Sequence, residues 1–235
     1  MTTQSIVRES HRVEIDAPCP QLSDLAGPGI TQKIGAAQTI VIEGDPIDYY
    51  YRIISGTVRL YKSVADGRRQ IIDFLGQNDC FGMTSFDMHA YSVEAITDVV
   101  VVRYPRQRLD NAIDEKPDLG RQLMHLACSE LNRAQQRMLM LGRKSAEERV
   151  ASFLLDLVER QDSVDRDAGV LHLAMSRQDI ADHLGLTIET VSRIFTRFRR
   201  NGLIGLLDRH DVTLKDIDRL SSMAAGDLLH EPGRA

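Results

Sequence analysis

The chain has 235 residues, enough for two ordinary domains each with its own core, and 43% of them are hydrophobic and 27% charged, the balance of a globular protein. No apolar run approaches the roughly 20 residues that cross a bilayer, and no apolar core follows a basic start at the amino terminus, so the reading is a cytoplasmic protein without a signal peptide or a membrane partner. A formal net charge of -5 excludes a chain-wide basic surface, so any surface for nucleic acid has to be local.

Residues 1–28 are polar and broken by Pro18, Pro20, Gly27 and Pro28, which predicts a loosely held tail. Cys19, Cys80 and Cys128 lie far apart with no C-x-x-C pair. That spacing predicts reduced thiols rather than a disulfide framework or a zinc site, with Cys80 and Cys128 as candidate redox positions.

From 29 to 117 the texture is that of an all-β barrel or roll. Short β-branched and aromatic runs, among them Ile40 to Ile42, Tyr50 to Ile54, Thr57 to Tyr61, Ile71 to Leu75 and Val99 to Val102, are separated by Gly44-Asp45, Ser55-Gly56, Asp66-Gly67, Gly76 and Gly82. His89, in Met88-His89-Ala90, reads as a solvated hairpin residue.

The period then becomes helical. Leu119, Leu123, Leu126, Ala127, Leu131, Ala134, Met138 and Leu141 recur at three and four positions over 118–142. This predicts one helix of about 24 residues, roughly 36 Å long, whose narrow stripe suits a two-helix seam with a second copy or packing along its own domain. Gly142-Arg143-Lys144 reads as a hinge into a third region, 143–235.

Ser145 and Glu148 form a capping box that opens the next helix, with Val150, Phe153, Leu154 and Leu157 on its buried face. A strand at Val170 to Leu173 follows. Ser176 then caps a helix carrying Ile180, Ala181 and Leu184, Gly185 ends it, and Thr187 caps another from Ile188 to about Arg200. Helix, glycine turn and helix at this spacing form a helix-turn-helix, and Leu203 to Leu207 with Val212 to Leu214 add a wing.

On the second of those helices Val191, Phe195 and Phe198 share one face, while Glu189, Ser192 and Arg193 share another in its first turn and a half. A recognition helix reaches base edges from that position. Arginine can pair with guanine O6 and N7, glutamate with cytosine N4, and serine with a base edge or phosphate. Thr187, Thr190, Arg177 and Arg197 are further candidates, with Arg199 and Arg200 beside the flanking phosphates. The bland alternative is an exposed Glu189 to Arg193 ion pair on a solvated face.

The segment MSRQDIADHLGLTIETVSR, Met175 to Arg193, resembles the recognition motif of the CRP/FNR family of bacterial transcription regulators. The likeness extends to Gly44-Asp45, Ile54 to Gly56, Leu60-Tyr61, Asp66 to Gln70, Phe81-Gly82 and the hinge segment Leu141 to Arg149. It implies an α+β protein with an amino-terminal β-roll, a dimerisation helix and a carboxy-terminal winged helix-turn-helix. It also implies a homodimer on promoter DNA that touches RNA polymerase, with Asp66, Gly67, Arg68 and Arg69 near the expected polymerase loop.

Glu189 to Arg193 resembles the FNR and FixK branches, whose sites are inverted TTGA-type repeats. Ile188, where the cyclic-AMP receptor has arginine, cannot hydrogen-bond guanine. Met83 after Gly82, and Tyr91-Ser92 where Arg-Ser is expected, argue against cyclic-nucleotide control. Three thiols cannot hold an FNR-type iron–sulfur cluster within one subunit. The reading is therefore a FixK-like activator without a cofactor, acting in microaerobic, respiratory or nitrogen-fixation gene control. Haem ligation by His89 or His125 and thiol redox remain as effector-dependent alternatives, as does a ligand sensor whose carboxy-terminal helices bind protein. No G-x-S-x-G, H-E-x-x-H or phosphate-cradling glycine loop supports an enzyme.

Overall fold

The computed structural model describes residues 27–63, 67–84, 87–160, 164–165, 170–208 and 210–226, so the expected tail lies almost wholly outside the described residues. Strands β1 (Ile30–Ile34), β8 (Val99–Pro105), β3 (Tyr49–Ser55) and β6 (Cys80–Phe81) form one antiparallel sheet in that order. Strands β2 (Thr39–Val41), β7 (Ser92–Ala95), β4 (Val58–Ser63) and β5 (Arg69–Leu75) form a second.

Period-two patterning builds this roll. In β8, Val99 and Val101 are buried and Val100 and Val102 less so. Their buried set meets Ile34, Val41, Ile53, Val58, Leu60, Val93 and Ala95 in one core, where the Tyr51 and Phe81 rings stack with centroids 4.7 Å apart. Gly56, at φ 89°, makes a turn in which a side chain would overlap the Asp98 carbonyl.

Two helices follow, α1 (Arg106–Glu115) and α2 (Pro117–Arg143). With 27 residues α2 is longer than its periodicity suggested, because Pro117 starts it at the first turn and Gly142 continues rather than breaks it. The hinge narrows to Lys144, whose backbone is extended. Leu119 is fully buried in a cluster with Tyr50, Tyr104, Leu109 and Ala112, against which Leu123 packs, and Leu126 is buried too. These three leucines, assigned by spacing to a seam, face the chain's own domain. Periodicity finds an apolar stripe but does not say what covers it.

Helix α3 (Ala146–Glu159) opens on the expected capping box, with the Glu148 amide donating to Ser145 Oγ at 3.4 Å and the Ser145 amide to Glu148 Oε2 at 2.9 Å. A third sheet combines β9 (Val164–Asp165), β10 (Val170–His172), β11 (Ile204–Leu206) and β12 (Asp211–Leu214), and α5 (Ile188–Arg200) packs on its β11 and on α4 (Arg177–Leu184). Helix α6 (Ile217–Ala225), which the sequence did not announce, packs on α3.

A bulge in β5 ties the two halves together. Leu60 pairs with Asp73 but Tyr61 pairs with Ile71, which leaves Ile72 as the extra residue. Ile71 and Phe74 consequently leave the roll core and join Phe153, Leu154, Ile180 and Leu184 in the core of the carboxy-terminal half.

Candidate nucleic-acid interface

Helices α4 and α5 are set by caps that the sequence specifies. Ser176 Oγ accepts the Asp179 amide at 3.1 Å while Asp179 Oδ2 accepts the Ser176 amide at 3.0 Å. Gly185 ends α4 in the left-handed region at φ 63°, and Thr187 Oγ1 accepts the Thr190 amide at 3.2 Å to start α5.

Val191, Ile194, Phe195 and Phe198 anchor α5 in the core, and Glu189, Ser192 and Arg193 stand exposed on the opposite side. Among the described residues no ion pair joins Glu189 to Arg193, and the polar contacts of the first turn of α5 run among Thr187, Glu189 and Thr190. The Glu189 carboxyl is held below the usual carboxylate range by its own backbone amide and by the Thr187 hydroxyl, and Arg193 adds to the effect. It therefore faces solvent as an anion. Ser192, Arg193, Thr196, Arg197 and Arg200 line a shallow open groove of about 360 Å³ along the rest of this face.

The other candidates divide. Thr187 is an exposed cap and Thr190 is half-buried beside it, their hydroxyls 3.1 Å apart. Arg197 is paired with Glu147 at the start of α3. Arg177 holds its guanidinium over the Phe195 ring, 3.4 Å from the centroid, and burial pushes its pKa down to about 10, so it packs against α5.

Sequence reasoning missed the contacts that place this unit. Arg149 donates to the carbonyls of Leu141, Lys144 and Leu184 at 2.6, 3.0 and 3.0 Å, which closes the ends of α2 and α4 onto the hinge. Asp179 accepts Arg59 Nη1 and Arg69 Nη2, each at 2.8 Å, and Arg69 also reaches Asp182 at 3.3 Å. Arg69, expected near a polymerase loop, is instead committed to α4, and it belongs to β5 rather than to the hairpin tip. Gly67 and Arg68 lie before the strand, and Asp66 falls outside the described residues.

A cavity of about 650 Å³ separates the roll from α2. Its wall is mostly apolar, with Asp73, Asp79, Asp110 and Glu130 against Arg133 and Arg137. His89 is buried beneath the hairpin rather than solvated, its amide bonded to Asp45 and its ring close to Gly82. Cys80 is disulfide-bonded, contrary to the expectation of reduced thiols, because distance along the chain sets no limit on which cysteines a fold brings together. Cys128 is a free, exposed thiol on α2. Among the described residues no group of three or more His, Cys, Asp or Glu is arranged to hold a metal, and no helix is long and apolar enough to cross a membrane.

On these elements the chain is similar to known proteins. Residues 148–223 match a Crp-like helix-turn-helix domain and residues 31–116 a cyclic nucleotide-binding domain. The nitrogen fixation regulation protein FixK of Bradyrhizobium diazoefficiens is 41% identical over 190 residues, covering 81% of this chain and 80% of that protein. FixK of Rhizobium meliloti is 37% identical over 215 residues, covering 92% and 95%. The solved structure of FixK2 from Bradyrhizobium japonicum superposes with a TM-score of 0.79 at 36% identity, covering 88% of this chain and 99% of that one.

The cavity does not fit the nucleotide that the second match implies. Its four carboxylates oppose a phosphate. Arg137 is already bound to Asp73 and to the Ile72 carbonyl, and Arg133 lies 3.5 Å from Glu130. Ser92 Oγ, beside the position where an arginine is lacking, accepts the Glu43 amide at 3.0 Å.

Proposed function

Because the chain belongs to the CRP/FNR family of transcription regulators, we propose that it binds promoter DNA as a homodimer and activates transcription of the FixK type without a bound effector. The observation that carries the reading is the exposed first turn of α5, where Glu189, Ser192 and Arg193 stand clear of every intramolecular ion pair among the described residues. Arg193 reads guanine and Glu189 reads cytosine within a TTGA-type half-site, and Ile188, 37% exposed and apolar, disfavours the TGTGA-type site.

The two copies meet along α2. Met124, Ala127, Leu131, Ala134, Met138 and Leu141 fall at alternating spacings of three and four, and Met124, Leu131 and Met138 are 65%, 58% and 69% exposed in the single chain. Arg197, Arg199 and Arg200 contact flanking phosphates, and Gly67 and Arg68 remain on the side that faces RNA polymerase. The relatives' roles in nitrogen fixation and transcriptional activation extend to this chain as control of microaerobic or respiratory genes in the cytoplasm.

Fluorescence anisotropy of the untreated protein on an inverted TTGA repeat, a TGTGA repeat and a scrambled duplex tests this. Tight binding to the first alone is expected, weakened by about 1–3 kcal/mol in Arg193→Ala. Equal binding to all three duplexes overturns the assignment of the reading face.

A further inference from the structure

The buried carboxylate of Asp73 joins three parts of the molecule. It lies in β5 of the roll, takes Arg137 of α2 on one oxygen, and accepts Arg160 at the end of α3 on the other at 3.4 Å. Arg137 also donates to the Ile72 carbonyl and Arg160 to the Phe74 carbonyl, both at 2.9 Å, so each guanidinium grips the strand at two points. Burial works to raise the Asp73 carboxyl, but Arg160 and Arg137, helped by His183 and the Phe74 amide, hold it below the usual range.

The same strand holds α4. Arg69 reaches Asp179 and Asp182, the Gln70 amide group donates to the His183 carbonyl at 3.3 Å, and the buried His183 ring sits 3.3 Å from the Ile71 carbonyl between Phe74 and Phe153. None of these contacts touches the exposed face of α5. The strand thus fixes the helix-turn-helix relative to α2 and leaves the reading face open.

We propose that Asp73 and Arg69 are positioning residues for DNA reading: they set the recognition helix at a fixed place relative to α2, and so set the distance between the two recognition helices of a dimer. The inference rests on the dimeric DNA-binding function proposed above. A helix-turn-helix dimer engages two half-sites about one helical turn apart. If each unit swings about Lys144, the second half-site gains less from tethering, because effective concentration falls as the geometry loosens. Residues that merely stabilise the fold would affect one half-site and two alike.

The test compares wild type, Asp73→Asn and Arg69→Gln on a duplex with the full inverted repeat, on the same repeat lengthened by three base pairs, and on a single half-site. Hydrogen exchange of the DNA-free dimer is followed at residues 142–146 and in α4. Wild type is expected to prefer the full repeat strongly. Both variants should bind it about 10-fold or more weaker, keep half-site affinity within about twofold, lose discrimination against the lengthened repeat, and exchange faster at the hinge. Arg69 is partly exposed, so its variant tests the inference even if Asp73→Asn folds poorly. Unchanged full-site affinity with unchanged exchange overturns the proposal, and so does an equal loss on full and half sites. Failure of wild type to bind any duplex overturns the DNA-binding reading itself, a different result from a variant that matches a binding wild type.

Discussion

The guanidinium of Arg177, the first residue of α4, lies 3.4 Å from the centroid of the Phe195 ring in α5. The two helices of the motif are therefore joined by a cation–π contact as well as by apolar packing. A partly desolvated contact of this kind is worth about 0.5–2 kcal/mol. Arg177→Ala should lower the unfolding free energy measured in urea by that amount, and Arg177→Lys should restore little of it, because an ammonium lacks the planar face that stacks on a ring. If the alanine variant keeps full stability and loses only DNA affinity, Arg177 contacts phosphate rather than bracing α5.

Arg193 and Arg197 stand one turn apart and should behave differently. On the proposed reading Arg193 contacts a base, so its removal should relax sequence preference, whereas Arg197→Ala should weaken all duplexes alike and reduce the salt slope of log K by about 1. Arg197 is held by Glu147, so DNA has to compete for it. Glu147→Gln is expected to tighten scrambled and specific duplexes by the same small factor, about two- to threefold for a surface pair worth under 1 kcal/mol. An anisotropy titration over a range of salt separates these outcomes, and a selective gain on the specific duplex would show that Glu147 acts on base reading instead.

What the sequence showed and what it hid have a common origin. Local chemistry was legible: Ser145 with Glu148, Ser176, Gly185 and Thr187 mark helix ends because capping uses neighbours within four residues. The two sides of α5 were legible for the same reason, since a 3.6-residue period separates the exposed Glu189, Ser192 and Arg193 from the buried Val191, Phe195 and Phe198. Long-range pairings left no local mark. Asp73, Arg69 and Arg149 act across tens of residues, and nothing near Asp73 announces partners at Arg137 and Arg160. The bulge at Ile72 likewise sends Ile71 and Phe74 into the other half, although the strand itself was expected.

The split of the α2 stripe into two faces gives a sharp test of the dimer. Leu131→Glu or Met138→Glu puts a charge on the outward seam and is expected to yield a monomer in sedimentation velocity while leaving the chain folded. Leu119→Ala should leave the dimer intact and cost about 2–5 kcal/mol of stability, because it empties a fully buried site within one subunit. A dimer that survives Leu131→Glu at micromolar concentration would move the interface elsewhere.

Asp79 lines the cavity between the roll and α2 and accepts the Gly76 amide at 2.8 Å, yet burial pushes its pKa up to about 6 from an ordinary 3.8. The folded chain thus keeps a proton between those values that the unfolded chain has released. The contribution of Asp79 to stability falls as pH rises from 3.8 to about 6 and stays at the lower level above that. Asp79→Asn keeps an oxygen for the Gly76 amide and removes the charge. It should be more stable than wild type at pH 7.5 by order 1–3 kcal/mol, with the difference shrinking toward pH 4. His183 works in the opposite direction: burial lowers its pKa below 6.5, so its contribution is present above that pH and lost as pH falls. Because His183 is present in both proteins, the difference between variant and wild type isolates Asp79, and parallel stability curves from pH 4 to 7.5 would mean that the carboxylate is already charged in the folded cavity.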